Sequence, residues 1–599
     1  MAWYDEAVFY HIYPLGLTGA PKQNDYGEPV HRLNTLLPWV DHIKEIGGSA
    51  LYIGPLFESV GHGYETTDYK KLDSRLGTNE DLTAFVAYCH EQGIKVIFDG
   101  VFNHTGRDFF AFKDIQANRE NSQYKDWYCN VNFWGNNEYN DGFSYDNWGG
   151  YNLLVKLNQK NPAVVDYICD VIRFWVSEFN VDGIRLDAAD VLDFDFMKAL
   201  RRTANEVKPD FWLMGEVIHG DYSRWVNGET LHSVTNYTLH KALYSGHNDH
   251  NYFEIAHTVR RLQNMGTLKL YNFVDNHDVE RIYTKLTNKA HFAPVHVLLY
   301  TLPGVPSIYY GSEFGIEGRK EYGSDDSLRP ALNIEDYKDS VKTNPCTALI
   351  AALGKVRQAV PALSYGSYDE LMLTNRQFAY ARDLDGTRVI VSVNNDDAPA
   401  GMHLAAGNCA AYIGALSGEK VSVQDGHINI TQPANSGEIW VPEGTDLDVK
   451  PVKVVTKTDS EAKTNTEDKA ASETATDAKG NKEAEPKIES KESKDIVTAT
   501  ESADAKKNTT DIEKNTTAAN EVKDSAKDAS AQAAADTPVD PETITVDWSK
   551  SPESMTVPEL QAAILAKLAG NGPVDAQMKK TVVDNIWHDS LVNWLKSFR

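Results

Sequence analysis

Cysteine is scarce in the sequence, and long hydrophobic runs are missing. The five cysteines in 599 residues are widely spaced and form no C-x-x-C pair, so we expect neither a disulfide framework nor a cysteine-based zinc site. No run of about 18 apolar residues occurs, so no membrane-spanning helix is expected. The first residues include Asp5 and Glu6 and no basic, apolar leader, which predicts a cytoplasmic protein.

Positive charge is also in short supply. Lys and Arg number 59 against 86 Asp and Glu, so the formal net charge is −27 at pH 7. Proteins that bind nucleic acid or anionic membranes need basic clusters to meet the phosphates. We therefore expect no nucleic-acid partner and no membrane partner, while a neutral ligand such as a sugar is compatible with this charge.

Short apolar runs alternate with amphipathic stretches over residues 1–350, a pattern typical of parallel strands joined by helices. Helices are expected at Leu82–Gln92 and Pro162–Phe179. The pattern alone leaves open a doubly wound sheet or a closed barrel. An Asn-, Gly- and aromatic-rich stretch over 104–158 interrupts it and is long enough to be functional. The expected strands are Ala7–Tyr13, Ala50–Gly54, Val96–Asp99, Gly183–Asp187, Leu213–Glu216, Phe273–Asp275 and Ser307–Tyr310.

The remainder of the chain changes character twice. Period-two alternation from about Gln377 to Val441 predicts a small antiparallel β-sandwich, which we place at 351–447. Residues 448–542 are expected to be a disordered linker, because 451–540 contain no aromatic residue, Leu, Met or Arg.

A small helical segment is expected over 543–599. Thr556 and Glu559 match a capping box ahead of the apolar stretch Leu560–Leu568, and Gly570 stands at the expected C-cap. A second helix is predicted from an apolar stripe formed by Val583, Trp587, Leu591, Trp594 and Phe598.

Three acidic residues, Asp187, Glu216 and Asp278, each close a predicted strand region. A carboxylate in that position is not a packing residue, because burying it unpaired is costly. Each alone is as well explained as a helix N-cap. Asp99 ends another strand, and catalytic groups of parallel α/β folds collect at the carboxyl ends of strands, so the set predicts a catalytic cluster.

Two such carboxylates suffice for glycoside hydrolysis, one protonated as acid and one ionised as nucleophile. Arg185 lies two residues before Asp187, so on a strand their side chains share one face. A neighbouring guanidinium favours the ionised carboxylate. Asp187 is therefore the candidate nucleophile and Glu216 the candidate acid.

Four stretches resemble, in the right order, the four signature regions of the α-amylase superfamily, glycoside hydrolase family 13. They are Asp99–His104, Gly183–Asp187, Gly215–Glu216 and Phe273–Asp278. The resemblance covers about residues 1–445 and is strongest to its neopullulanase and cyclomaltodextrinase-like or intracellular maltodextrin-degrading branch. It implies an α/β fold, a (β/α)8 TIM barrel with a short loop domain after strand 3, followed by the small antiparallel β-sandwich.

The resemblance also implies roles for individual residues. Asp187 corresponds to the nucleophile, Glu216 to the general acid/base and Asp278 to the third carboxylate, which binds sugar hydroxyls. The expected substrate-binding residues are Tyr64, as an aromatic platform, with Asp99, His104, Arg185 and His277. From the loop after the eighth strand, Asp326 and Arg329 are added, although a structural ion pair explains those two equally well.

Two departures from the family pattern bear on cofactor and substrate. Val191 occupies the position of a histidine found in calcium-dependent members, and Val cannot coordinate a cation. Although Asn103 remains, we expect no cofactor and regard the usual calcium site as lost, with calcium left as an alternative. Ile218 stands where relatives similar to neopullulanase often carry Trp, which puts a cyclodextrin or pullulan preference in doubt.

The expected activity is retaining hydrolysis of α-1,4-glucosidic bonds in maltodextrins through a covalent glycosyl-Asp intermediate, with α-glucan oligosaccharides as the binding partners. Ala188, after the nucleophile, favours α-1,4 over α-1,6 linkages, since a β-branched side chain would narrow the neighbouring subsite. The same intermediate also fits a transglycosylase, glucanotransferase or isomerase. An inactive binding subunit is the remote alternative, because all three carboxylates are present. The sequence leaves the oligomeric state open.

Overall fold

The computed structural model describes residues 2–321, 324–449, 546, 550–551, 555–569 and 595. The chain divides into two compact units, Met1–Asn481 and Lys482–Arg599. The described part of the first unit consists of a parallel barrel followed by antiparallel sheets. None of the helices among the described residues is long and apolar enough to cross a membrane.

A closed barrel of eight parallel strands is present in the described part of the first unit. Neighbouring strands pair in parallel from β1 through β6, and β8 pairs with both β7 and β1. A parallel bridge between Thr235 and Tyr271 joins the end of β6 to β7 and closes the ring. In chain order the strands are β1 (Phe9–Ile12), β2 (Ala50–Ile53), β3 (Lys95–Gly100), β4 (Gly183–Leu186), β5 (Trp212–Gly215), β6 (Ser233–Val234), β7 (Tyr271–Asn272) and β8 (Val305–Tyr309).

The barrel resolves the choice that the sequence left open, and it corrects two details. The predicted strand Phe273–Asp275 is wrong in position, because the paired strand is Tyr271–Asn272. Phe273 and Val274 are buried, which accounts for the apolar pattern that suggested a strand, although neither is paired in the sheet. The strand Ser233–Val234 was not predicted, since two residues carry no detectable periodicity.

Capping residues set the bounds of the barrel helices. The helix predicted at Pro162–Phe179 is confirmed; the Asn161 side chain accepts from the Ala163 N–H, and the helix ends at Asn180 with φ 55°. The predicted Leu82–Gln92 begins three residues earlier, at Asn79. The longer helices of the barrel unit are Leu37–Glu45, Asn79–Glu91, Pro162–Phe179, Phe194–Val207, Tyr237–Asn248, Tyr252–Asn264, Phe292–Thr301 and Pro345–Ala359. Helices of four residues are Trp3–Glu6, Pro14–Leu17, Ile282–Lys285, Ser340–Thr343 and Ala362–Tyr365, and the nine-residue helix Phe110–Asn118 belongs to the insertion over 104–158.

The insertion over 104–158 is partly regular. The strands His104–Thr105, Asn147–Trp148 and Tyr151–Lys156 form a small antiparallel sheet beside the helix Phe110–Asn118. Phe112, Tyr128 and Phe143 are buried and pack against one another. A hairpin of Phe57–Ser59 and Thr66–Leu72 precedes the insertion in the chain.

Two antiparallel sheets follow the barrel. Both contribute side chains to one buried cluster, which includes Ile390, Met402, Ile428 and Trp440. This packing agrees with the predicted sandwich. The larger sheet contains, in spatial order, Ser367–Leu373, Gln377–Leu384, Thr387–Asn394, Ser436–Pro442, Ala411–Gly414 and Lys420–Ser422, and the smaller pairs Ala400–Ala405 with His427–Gln432.

The described part of the second unit contains the helix Val557–Ala569. The Thr556 backbone N–H donates to Glu559 Oε2 at 2.7 Å, as expected for the predicted capping pair. The buried side chains of Leu560 and Ile564 pack with Met555 and Leu595. Gly570, the segment 451–540 and the predicted second helix with Val583, Trp587, Leu591, Trp594 and Phe598 lie outside the described residues.

Candidate active site

The carboxyl ends of adjacent barrel strands bring the predicted acidic residues together. Asp99 lies within β3, Asp187 directly follows β4 and Glu216 directly follows β5. Because β3, β4 and β5 are neighbours in register, all three carboxylates meet at one end of the barrel. The barrel thus converts residues that are far apart in sequence into one acidic cluster.

Arg185 holds this cluster together. Its Nη1 lies 2.8 Å from Asp99 Oδ1 and 3.0 Å from Asp187 Oδ1, and its Nη2 lies 2.8 Å from Glu216 Oε2. The guanidinium is buried, so solvent screens these contacts little. The sequence argument that Arg185 selects Asp187 alone is therefore incomplete, since the same group also contacts Asp99 and Glu216.

Burial and neighbouring charge favour the protonated form of Asp187. Burial raises the pKa of Asp187 well above its ordinary value, Arg185 opposes the rise, and the negative charges of Glu216 and Asp99 add to it. Glu216 accepts a hydrogen bond from the Ala188 backbone N–H at 3.1 Å. Asp187 therefore retains a proton at a pH where free carboxylic acids are ionised.

The carboxylate of Asp278 contacts the side chains of His277 and Arg329. Its carboxylate lies 3.1 Å from His277 Nε2 and 2.8 Å from Arg329 Nη2. Burial opposes its ionisation, but His277 and Arg329 outweigh burial and hold the pKa of Asp278 well below its usual range. Arg329 also pairs with Asp325 at 3.0 Å. Asp278 is therefore a fixed negative charge at the site.

Two tyrosine rings lie beside His277. Tyr64 and Tyr13 are nearly parallel to the imidazole, with ring centroids 5.7 Å and 5.8 Å away. The Tyr64 hydroxyl is hydrogen-bonded to His277 Nε2 and donates to Asp99 Oδ2 at 3.2 Å. Tyr64 thus connects the Asp278 side of the site to the Arg185 cluster.

His104 is buried at the carboxyl end of β3. Its Nδ1 faces the Asn103 side-chain amide at 3.2 Å, and its Nε2 has no hydrogen-bond partner within the described residues. Burial lowers the pKa of His104 to about 4, so the ring is neutral near pH 7. A neutral imidazole with an unused ring nitrogen is suited to bind a hydroxyl.

The sequence missed Tyr13, described above, and two further tyrosines of the site. The Tyr52 hydroxyl donates to Asp99 Oδ2 at 2.9 Å, and the Tyr237 hydroxyl donates to Glu216 Oε1 at 3.3 Å. Tyr52 lies on β2, and its inward direction was available from the alternation along that strand. Tyr237 gave no such signal, because it begins a helix directly after Asn236, the residue that caps it.

Asp326 is the predicted site residue that the structure does not bring to this cluster. It is exposed and forms an ion pair with Lys22. Arg329, predicted with it, does contact Asp278 and lies over the ring of Tyr13 at 4.7 Å. The loop after the eighth strand therefore contributes Arg329 and Asp325 to the site.

The described residues contain no group of three or more His, Cys, Asp or Glu side chains placed to hold a metal ion. Asn103 Oδ1 is buried and has no hydrogen-bond partner there, but Val191 is exposed and offers no ligand atom. Calcium needs about six to eight oxygens. The residues present do not fit a calcium site.

Comparisons with known proteins agree with this geometry. A family model for the alpha amylase catalytic domain matches residues 32–355. The chain is 31% identical over 422 residues to a cyclomaltodextrinase from a Bacillus species, covering 66% of this chain and 74% of the relative. It is 32% identical over 419 residues to the cyclomaltodextrinase of Thermoanaerobacter pseudethanolicus, covering 66% and 71%. A solved cyclomaltodextrinase structure aligns with a TM-score of 0.66 and 27% identity, covering 73% of this chain and 78% of that one.

Proposed function

Because the chain belongs to the α-amylase family of glycoside hydrolases, we propose that it cleaves α-1,4-glucosidic bonds of maltodextrins with retention of configuration. One observation carries the proposal: a single guanidinium, Arg185, contacts both Asp187 and Glu216 at the ends of adjacent strands. A retaining glycosidase needs two carboxyl groups about 5–5.5 Å apart, one as nucleophile and one as acid. Two carboxylates on one guanidinium fit that requirement.

In the first step Glu216 donates its proton to the glycosidic oxygen while Asp187 attacks the anomeric carbon. The bond from carbon to the leaving oxygen breaks, and a glycosyl ester of Asp187 forms. The step requires a proton on Glu216 and an ionised Asp187. Positive charge developing at the anomeric carbon stabilises the Asp187 carboxylate as the bond breaks.

In the second step Glu216, now ionised, removes a proton from water, and the water oxygen attacks the anomeric carbon. The ester bond breaks and Asp187 returns to the carboxylate form. Arg185 contacts both residues throughout, so the negative charge that moves between them stays beside one fixed positive charge.

Binding of the sugar is assigned to the residues around His277. The Asp278 carboxylate accepts hydrogen bonds from sugar hydroxyls, and the His277 imidazole donates to them. Tyr64 supplies a flat surface for the sugar ring. His104 offers its free Nε2 to a further hydroxyl. Arg329 fixes Asp278 through a 2.8 Å contact.

Linkage preference is assigned to the residues that follow the two catalytic carboxylates. Ala188 is small and buried beside Glu216, and Ile218 is exposed two residues after it. A small residue at 188 leaves room for an α-1,4-linked acceptor sugar. Cyclomaltodextrinases are among the similar proteins, so cyclic and linear maltodextrins are both included in the proposed substrate class.

The test is a comparison of kcat/KM on maltotriose with that on isomaltotriose and panose, with products followed over time by chromatography. Maltotriose should be preferred, although a difference of one methyl group in a pocket gives only a graded preference, about 10–200-fold. Equal or higher efficiency on isomaltotriose, or cleavage of the α-1,6 bond of panose in place of its α-1,4 bond, contradicts the linkage assignment. Accumulation of longer oligosaccharides instead of glucose and maltose indicates transfer to sugar in place of hydrolysis.

A further inference from the structure

A pocket of about 360 Å³ lies at the amino-terminal end of the barrel. Trp212 begins β5 and Val305 begins β8, while His232 directly precedes β6, so the pocket wall is built from strand starts. Catalytic groups of parallel barrels lie at the opposite, carboxyl-terminal end, as Asp187 and Glu216 do here. This pocket is therefore separate from the proposed active site.

Arg201 brings an uncompensated positive charge to the pocket. It projects from the helix Phe194–Val207 and is joined to no carboxylate in the part of the chain that the structure describes. Its Nη1 donates to the Thr230 carbonyl at 2.9 Å, while its Nε is buried and has no hydrogen-bond partner there. Burial lowers the pKa of Arg201, which reflects the cost of holding this charge without an anion.

A second cation, Lys269, lines the same pocket. It lies 3.1 Å from Asp5 and 4.2 Å from the centre of the Tyr365 ring, so Asp5 is already neutralised and does not cancel the charge of Arg201. Arg201 is therefore the lining cation that has no carboxylate partner among the described residues, within a protein whose formal net charge is −27. Such a protein repels anions in general, so saturable anion binding requires a local site of this kind.

An aromatic wall stands next to the charge. The rings of Tyr4 and Trp212 are stacked, with centroids 5.8 Å apart and an angle of 20° between them. Tyr4 also contacts the His232 ring at 5.3 Å. Flat aromatic surfaces present an apolar face to the C–H side of a sugar ring, and their polar edges accept or donate hydrogen bonds.

We propose that this pocket binds a small phosphorylated sugar, with its phosphate on Arg201 and its sugar ring against Tyr4. A guanidinium is a charged donor that binds phosphate oxygens; the Nη1 of Arg201 is held by the Thr230 carbonyl and its Nε is buried, so the phosphate is placed on Nη2. The volume is within the range of small-molecule sites, about 300–1,000 Å³.

The test is isothermal titration calorimetry of the full chain with inorganic phosphate and, separately, with glucose 1-phosphate, at constant ionic strength in chloride. Wild type should bind glucose 1-phosphate saturably and at least tenfold more tightly than inorganic phosphate. Arg201→Gln should weaken binding of both at least tenfold, and Arg201→Lys should weaken it less, because the positive charge remains. The matched control is Arg202→Gln, which removes the same charge from the exposed face of the same helix.

Several results would overturn the proposal. They are the absence of saturable binding to wild type, binding to Arg201→Gln within twofold of wild type, or an equal loss in Arg202→Gln. Equal affinity for inorganic phosphate and glucose 1-phosphate would overturn the assignment of a sugar phosphate. Thermal midpoints of the Arg201 variants in chloride verify that they are folded. The readout is binding, so it is independent of whether the chain hydrolyses maltodextrins.

Discussion

Arg185 Nη2 lies 2.8 Å from Glu216 Oε2, a carboxylate on the neighbouring barrel strand. The same guanidinium contacts Asp187 at 3.0 Å. One buried positive charge thus faces both members of the proposed catalytic pair, so the loss of either carboxylate changes the field at the other.

Removing either member of the pair should abolish turnover. Asp187→Asn loses the attacking carboxylate and Glu216→Gln loses the proton donor, so kcat should fall by about a thousandfold or more in each. The control is Asp170→Asn, an exposed residue paired with Lys70 outside the site, which should retain activity. The measurement is kcat on maltotriose for wild type, the two variants and the control, with circular dichroism to verify that each is folded. More than about a tenth of wild-type activity in Asp187→Asn would rule out its assignment as nucleophile.

The stereochemistry of the first product tests direct attack by Asp187. Two displacements at the anomeric carbon retain configuration, so the α-anomer should form first. Proton NMR of the anomeric region in the first minutes of hydrolysis distinguishes the two anomers before mutarotation mixes them. Early appearance of the β-anomer would contradict a covalent intermediate.

Tyr52 should contribute to catalysis through Asp99 without touching substrate. Its buried hydroxyl donates to Asp99 Oδ2 at 2.9 Å, and the other oxygen of Asp99 contacts Arg185. Tyr52→Phe leaves Asp99 with one donor fewer, so Asp99 draws Arg185 away from Asp187 and Glu216. We expect kcat to fall about tenfold with little change in KM, and the acidic limb of the pH profile to move upward, because a weaker positive field raises the pKa of Asp187.

The control for Tyr52→Phe is Tyr271→Phe, which removes a buried barrel hydroxyl bonded to Ser307. Its effect on kcat should be within about twofold, since a neutral hydrogen bond outside the carboxylate cluster contributes mainly to stability. Equal losses of kcat in the two variants would show that Tyr52 has only a structural role.

Buried histidines should make the protein less stable in mild acid. Burial lowers their pKa values to about 4 for His104 and His296 and about 3 for His240 and His247, from an ordinary value of 6.5. As the pH falls below about 6.5, these histidines become protonated in the unfolded chain but stay neutral in the folded chain. The stabilisation is therefore complete above that pH and decreases progressively as the pH falls towards the folded values, by about 1–2 kcal/mol per histidine at pH 5.

Thermal midpoints at pH 7.5 and pH 5 measure this loss. His240→Asn should narrow the difference between the two midpoints, whatever it does to stability at pH 7.5. His403→Gln, at an exposed position, is the control and should leave the difference unchanged. If the difference between the two thermal midpoints is the same in His240→Asn as in wild type, His240 does not contribute to the loss of stability in acid.

Truncation after Asp448 should leave kcat/KM on maltotriose within about twofold of the full chain. The site residues lie between Tyr13 and Arg329, and the composition of 451–540 is unsuited to a packed active site. Assays of both forms under identical conditions provide the comparison. A tenfold decrease in the truncated form would show that residues beyond 448 contribute to the site.

The sequence by itself determined six of the eight barrel strands, the acidic residues that follow two of them and the family. Asp187 and Glu216 were recognised because each ends an apolar run. A buried strand is apolar, whereas burying an unpaired carboxylate is costly, so an acidic residue at that point indicates a site. The helix at Pro162–Phe179 was predicted to the residue, since Asn161 and Pro162 mark its start locally.

Only the tertiary structure decided what those carboxylates contact. Closure of the barrel through Thr235 and Tyr271 depends on pairing between distant segments, which no local pattern encodes. Arg185 is two residues from Asp187 in sequence, but its contacts with Asp99 and Glu216 require three strands side by side. The ends of the predicted strands therefore indicated Asp187 and Glu216, whereas the sharing of one buried charge among three carboxylates arises from strand register and burial.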